Sequence, residues 1–341
     1  MWGDEMKSFN LLMSRNTAVK GARRIGIYNA AGNRVGQMPL GSLTPPNAAQ
    51  RLYSFGAISD VHLQYDTAQD DFRAALEYLN GTEDVAFTCV CGDLSVNGTA
   101  AELTTYKSYV DTYSPGTPVY AIFGNHDTYA GLYANTEVYT GKSLYYTVEH
   151  GDDVFVMLGL AGTQDGSLFA SGELQWLYET LETNRNRRCM LFEHVLASEG
   201  SGDVLGIYPY TKMRSSAEST AFKSLLRHYR NTVFFHGHSH MRFALQEYGA
   251  TANYDNVFGI HSIHIPSLAV PRDVDDAGTG YETLYAASEG YVVDVYANGI
   301  HLRGRDFAAG EYLPVASYWL ATPLQTIAAG TYTDSTGTIT T

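Results

Sequence analysis

From residue 52 the chain alternates between two kinds of apolar pattern. Largely apolar runs cover 52–59, 85–90 and 119–123, and each reads as a strand. Between them apolar residues return every three or four positions: Phe72, Ala75, Leu76 and Leu79, then Leu103, Tyr106, Val110 and Tyr113. That is the spacing of a helix with one buried face. Gly81 stops the first helix and Pro115 the second. Runs at 144–148 and 154–160 meet at Gly151-Asp152-Asp153 and read as an antiparallel hairpin. The helical spacing returns at Leu174, Leu177, Tyr178 and Leu181, and again at Phe222, Leu225, Leu226 and Tyr229. A strand follows each, at 189–192 and 232–235. After His240 the helices end. Residues 243–246, 257–265, 284–286, 291–295 and 300–303 read as strands, the last two joined at Ala297-Asn298-Gly299.

This order predicts an α/β chain of two sheets whose second half is mostly β. Ahead of it, Ile25-Gly26-Ile27-Tyr28 and Arg34-Val35-Gly36-Gln37-Met38 flank a loop containing Gly32, which reads as a separate hairpin. Thr44-Pro45-Pro46-Asn47 reads as a linker. The expected division is an appendage and linker over 1–50, a main domain over 51–305, and a C-terminal extension over 306–341 with room for a further β segment.

Charge narrows the partners. A net charge of -14 repels nucleic acid and anionic membrane, so neither a duplex nor a bilayer is expected. A phosphorylated substrate then needs local positive charge of the kind metal ions supply. Three cysteines make no disulfide framework. Cys89, Cys91 and Cys189 read as buried core residues, the first two on one face of a strand. The first thirteen residues lack the apolar run of a signal peptide, and no window reaches a membrane span. A cytoplasmic or otherwise soluble protein is expected. Oligomeric state is open.

Polar residues gather where the strands end. The first strand ends in Ser59-Asp60-Val61-His62, the second in Gly92-Asp93-Leu94, the third in Gly124-Asn125-His126-Asp127. The run at 189–192 leads into Glu193-His194, and that at 232–235 into His236-Gly237-His238-Ser239-His240. Ligand sites of α/β sheets lie at such carboxyl ends. Carboxylate and neutral imidazole suit first-row divalent metals. Residues i and i+2 just past a strand can turn toward one point. Gly92, Gly124 and Gly237 allow close approach there. Two ions about 3.5–4 Å apart form the clamp used for in-line displacement at phosphorus.

These five blocks, in this order, resemble the signature of the calcineurin-like metallophosphoesterases: D-x-H, G-D, G-N-H-[DE], a lone H, and G-H-x-H. Every position is filled. The likeness spans roughly residues 52–303 and implies a two-sheet α/β/β/α sandwich carrying two divalent transition-metal ions, manganese, iron or zinc. It implies Asp60, His62 and His240 as ligands of one ion and Asn125, His194 and His238 as ligands of the other, with the Asp93 carboxylate bridging them through both oxygens. His126 is similar to the family's histidine that contacts the phosphate, beside Asn125, and protonates the leaving oxygen. Asp127 would orient it. The implied reaction is hydrolysis of a small phosphate ester by a metal-bridging hydroxide.

Departures narrow the branch. The family's protein phosphatases carry Asp-Arg shortly after the second block, where this chain has Leu94-Ser95-Val96-Asn97-Gly98. Its purple acid phosphatases carry D-x-G and a tyrosine after G-D, positions held here by His62 and Val96. What remains is most similar to the cyclic-nucleotide and general phosphodiesterase branch, so a diester is expected over a monoester. Residues 198–214 include Tyr208 and Tyr210, read as substrate contacts in a lid or as part of a surface insertion. His236, His261 and His264 read as packing residues. The competing reading is a non-catalytic or degenerate binding module on the same fold, within a larger surface or phage-type assembly. The complete ligand set favours the enzyme.

Overall fold

The computed structural model describes residues 24–28, 34–39, 50–65, 67–162, 168–197, 213, 216–248, 253–255, 259–274 and 281–339. Strands β1 (Arg24–Tyr28) and β2 (Arg34–Pro39) pair as the expected N-terminal hairpin. The chain then runs through β3 (Tyr53–Ile58), α1 (Ala68–Gly81), β4 (Thr88–Cys91), α2 (Ala100–Tyr113) and β5 (Val119–Ile122). These three strands pair in parallel, which the helical crossovers make possible. A short helix α3 (Thr136–Thr140) precedes the hairpin β6 (Tyr145–His150) and β7 (Asp153–Leu158). Next come α4 (Glu173–Thr183), β8 (Cys189–Glu193), α5 (Ala217–His228) and β9 (Thr232–His236). The remaining strands among the described residues are β10 (Tyr254–Asp255), β11 (His261–His264), β12 (Arg272–Val274), β13 (Tyr281–Thr283), β14 (Glu289–Tyr296), β15 (Gly299–Asp306) and β16 (Glu311–Ala321).

Two six-stranded sheets result, ordered β16-β15-β14-β3-β4-β5 and β10-β11-β9-β8-β7-β6. Their inner faces meet in an aromatic layer. Phe55 from the first sheet packs edge-on against Phe155 from the second at 5.1 Å, and Phe192 stacks on Phe235 at 4.7 Å. Each such buried side chain contributes about 1.5–3 kcal/mol. On the outer faces, Phe72, Leu76, Leu103 and Tyr106 seat α1 and α2 on the first sheet. Leu174, Leu177, Phe222 and Leu225 seat α4 and α5 on the second. The layers are α/β/β/α. Cys89 and Cys91 share the inter-sheet core, and all three thiols are free and buried. No helix among the described residues is long and apolar enough to cross a membrane.

Some elements differ from expectation. The strand expected at 243–246 is a 3₁₀ turn over Phe243–Tyr248. The Phe243 N–H donates to the buried Glu289 carboxylate at 2.6 Å and Leu245 N–H to Arg242 C=O, so the backbone coils instead of joining a ladder. Of the run expected at 257–265, the described part, 259–265, holds the strand β11, and the strand expected at 284–286 lies earlier, in β13. Residues after 305 supply β16, the edge of the first sheet. Its Pro314 obscures the strand pattern, yet an edge has no ladder bond to lose there.

Candidate metal centre

Asp60 follows β3, Asp93 follows β4, Asn125 follows β5, His194 follows β8, and His238 and His240 follow β9. The carboxyl ends of both sheets thus meet at one seam. Asp60, His62, Asp93 and His240 each bring a ligand atom within 4.8 Å of the others, and so do Asp93, His194 and His238. Asp93 belongs to both groups. His240 Nε2 lies 2.9 Å from Asp60 Oδ1, His194 Nε2 3.1 Å from Asp93 Oδ2, and His62 Nε2 3.6 Å from Asp93 Oδ2.

The local backbone explains the convergence. Among the described residues six non-glycines have positive φ, and five of them are Asp60 (52°), His62 (39°), Asp93 (51°), His238 (72°) and His240 (63°). In D-x-H and H-x-H alike, both outer residues are left-handed, which aims their side chains at one point. Such conformations cost about 1–3 kcal/mol each and persist where surroundings enforce them. Here the enforcing bonds run between strand ends: Asp60 N–H to Gly92 C=O and His62 N–H to Asp93 C=O, each at 3.0 Å.

Each aspartate spends one oxygen on structure and keeps one. Asp60 Oδ2 accepts from His238 N–H at 3.0 Å, and Asp93 Oδ1 from His126 N–H at 2.9 Å. Asn125 Oδ1 is buried without a hydrogen bond, while Asp60 Oδ1, Asp93 Oδ2 and His194 Nε2 are buried facing only the imidazoles and carboxylates of the cluster itself. Leaving such atoms unmatched is costly, and a divalent cation is what this set of oxygens and imidazoles fits. The expectation engaged both Asp93 oxygens, and one of them, Oδ1, accepts from the His126 N–H. The histidines are pre-aimed too. His194 Nδ1 donates to Cys91 C=O at 2.6 Å and His62 Nδ1 to Ser95 C=O at 3.2 Å, which leaves each Nε2 to ligate.

Burial holds His62 and His238 down to about 3, and it also lowers His240, so these rings stay neutral, the form that binds metal. His194 behaves oppositely. Burial pulls it down, but the charges of Asp93 and Asp60 outweigh that and raise it to about 10. A histidine raised from 6.5 to about 10 stabilises the fold fully below pH 6.5 and loses that contribution as pH rises through 10. A metal ion must displace this proton, so uptake between those limits releases one proton from His194. Calorimetric titration in buffers of different ionisation enthalpy reads it. A heat of binding independent of buffer would contradict it.

The glycines serve close approach by the protein itself. A Cβ on Gly124 would overlap Asp93 Oδ1 and its N–H, and one on Gly237 would overlap Ser59 Oγ and Asp60 Oδ2. Gly124→Ala is therefore expected to displace Asp93, lower stability by about 1–3 kcal/mol and reduce metal content. Chemical denaturation with elemental analysis checks both, and a stable variant with full metal content would refute it.

The role expected for Asp127 changes. His126 Nδ1 donates to Val96 C=O at 2.6 Å, so that carbonyl orients the ring. Asp127 is fully buried and accepts from Gly124 N–H, Leu94 N–H, Ser95 N–H and Ser95 Oγ at 2.7–3.1 Å. Burial and the charge of Asp93 push its pKa up to about 7 against the pull of these donors. It ties the Asp93 loop to the Asn125 loop and reaches His126 through them alone. The His126 ring lies 4.8 Å from that of His62, at the edge of the cluster. Tyr208 and Tyr210 fall outside the described residues. His236, His261 and His264 are buried on β9 and β11, with His261 bonded to Ala321 C=O and His264 to Ser239 Oγ. Sequence reasoning missed the carbonyls of Cys91, Ser95 and Val96, since backbone groups leave no signal, and it missed Tyr129, whose Oη accepts from Asn125 Nδ2 at 3.0 Å.

Residues 53–242, more than half of the chain, match the family model described as calcineurin-like phosphoesterase. No curated protein matches the chain significantly. Among solved structures, GAP50, the anchor in the inner membrane complex of Plasmodium, aligns with a TM-score of 0.55 at 14% identity, over 80% of this chain and 89% of that one. Purple acid phosphatase PPD1 from yellow lupin (Lupinus luteus) seeds aligns with a TM-score of 0.55 at 10% identity, over 87% of this chain and 59% of that one. At those identities the two structures share the fold with this chain.

Proposed function

The chain belongs to the calcineurin-like phosphoesterase family, and from that premise we propose that it hydrolyses small phosphodiesters with two divalent transition-metal ions. The observation that carries the reading is the overlap of two buried ligand groups on Asp93. Asp60, His62 and His240 would hold one ion with Asp93; Asn125, His194 and His238 would hold the other. Manganese, iron and zinc all suit this donor set. Bound there, such ions supply Lewis acidity at the phosphoryl oxygens and a water acidified enough to act as a nucleophile.

The chain's own residues do the rest. Two ions carry +4 against -2 from Asp60 and Asp93, so the seam attracts a phosphate despite an acidic surface. His126 has Nδ1 pinned to Val96 C=O, which leaves Nε2 to hold a proton for the leaving oxygen. Asp127 braces the two loops that carry Asp93 and Asn125. Absence of an Asp-Arg pair after Asp93, together with the net charge of -14, supports a small diester over a phosphoprotein or duplex.

The test compares bis-p-nitrophenyl phosphate with p-nitrophenyl phosphate on metal-loaded protein, followed by cyclic nucleotides. Faster turnover of the diester is expected. Faster turnover of the monoester across the pH range would reject the diester preference. Metal-free protein that gains no activity on adding manganese would favour a binding module, the reading GAP50's description as an anchor brings to this fold.

A further inference from the structure

An asparagine that ligates a cation has a handedness problem. Its two side-chain ends are nearly the same shape, but the oxygen attracts a metal ion and the N–H₂ repels it. The partner of the other end biases which end faces inward, and a hydroxyl favours the oxygen inward while it accepts from the N–H₂. Here Asn125 Nδ2 donates to Tyr129 Oη at 3.0 Å, while Oδ1 is buried without a hydrogen bond. Asn125 itself is 1% exposed, so its amide has no solvent to turn toward.

The chain builds this contact locally. Tyr129 closes the 3₁₀ turn His126–Thr128, four residues after Asn125. Thr128 Oγ1 donates to Asn125 C=O at 2.7 Å, and Tyr129 N–H to His126 C=O at 3.3 Å, which fixes the turn. The Tyr129 ring also rests 4.7 Å from the His126 ring. Yet Tyr129 is 51% exposed, so core packing does not account for its placement.

We infer that Tyr129 is a positioning residue for the second metal ion: its hydroxyl holds the Asn125 amide with Oδ1 toward the seam. This rests on the two-ion reading proposed above. Partners of metal ligands typically change affinity about 10–100-fold when removed. Tyr129→Phe keeps the ring and deletes the acceptor. Calorimetric titration of metal-free protein with Mn²⁺, with electron paramagnetic resonance to detect a coupled pair, should show two ions in the wild type. In Y129F the second ion should bind about 10–100-fold more weakly and the coupled signal fade, with the first ion unchanged.

The discriminating variant is N125D. A carboxylate presents oxygen whichever way it turns, and Tyr129 Oη can only donate to it, so Y129F should cost less affinity in the N125D background than in the wild type. Equal weakening in both backgrounds would assign Tyr129 a merely structural role and overturn the inference, as would two tightly bound ions in Y129F. A wild-type chain that takes up no second ion would instead overturn the two-ion reading itself.

Discussion

Asp93→Asn is expected to strip both metal ions from a folded chain and to lower phosphoesterase turnover to that of metal-free protein. The substitution is nearly isosteric, which is what makes it informative. Position Oδ1 must keep accepting from His126 N–H at 2.9 Å, so the amide oxygen stays there. The amide N–H₂ then occupies the place of Oδ2, 3.1 Å from His194 Nε2 and 3.6 Å from His62 Nε2. An N–H donor replaces a negative oxygen on the residue shared by both ligand groups. Loss at a single ion would leave catalysis impaired; loss at both removes the acidified water, whose pKa a bound ion lowers from about 15.7 toward about 7. Elemental analysis gives the occupancy, and far-ultraviolet circular dichroism checks the fold. Retention of either ion at wild-type affinity would reject the shared role of Asp93.

His126→Ala is expected to do the reverse: full metal content and turnover reduced about 10²–10⁴-fold, the usual cost of removing a general acid. The ring sits beside the cluster, bonded to Val96 C=O, and is in neither ligand group. What Asp93 needs from this residue is its backbone N–H, which alanine keeps. The loss should shrink for esters with good leaving groups, since a p-nitrophenolate departs without a proton while an alkoxide does not. Equal losses for both classes would show that His126 acts on binding alone. A metal-poor variant would show that the ring helps to hold the ions.

Much of this was legible in the residue pattern because burial dictates it. The strands around Asp60, Asp93 and Asn125 are apolar on both faces, since helices cover one side and the second sheet the other. Such strands read as continuous runs. The ligands stood out because polar residues abut those runs. Less legible was whatever depends on backbone geometry. Nothing in Asp-Val-His announces that both Asp60 and His62 turn left-handed. Asp127 looked like a partner for its neighbour His126, but sequence adjacency says little about direction, and its carboxylate turns to Leu94 and Ser95 instead. The segment at 243–246 has the composition of a strand; a distant carboxylate, Glu289, decides otherwise.

The ligands of each group are drawn from both sheets. Asp60 and His62 leave β3 while His240 leaves β9; Asp93 leaves β4 while His194 leaves β8. An ion held by such a set works as a rivet through the sandwich. Its spacing is inherited from how the Phe55, Phe155, Phe192 and Phe235 layer seats one sheet on the other. Mechanical strength and catalysis are then one property. Ligand held at a hundred times its dissociation constant adds about 2.7 kcal/mol to global stability by mass action. Amide exchange in strands of both sheets should therefore slow together when ions load. Conversely, a change that slides the aromatic layer will detune the centre without touching any ligand.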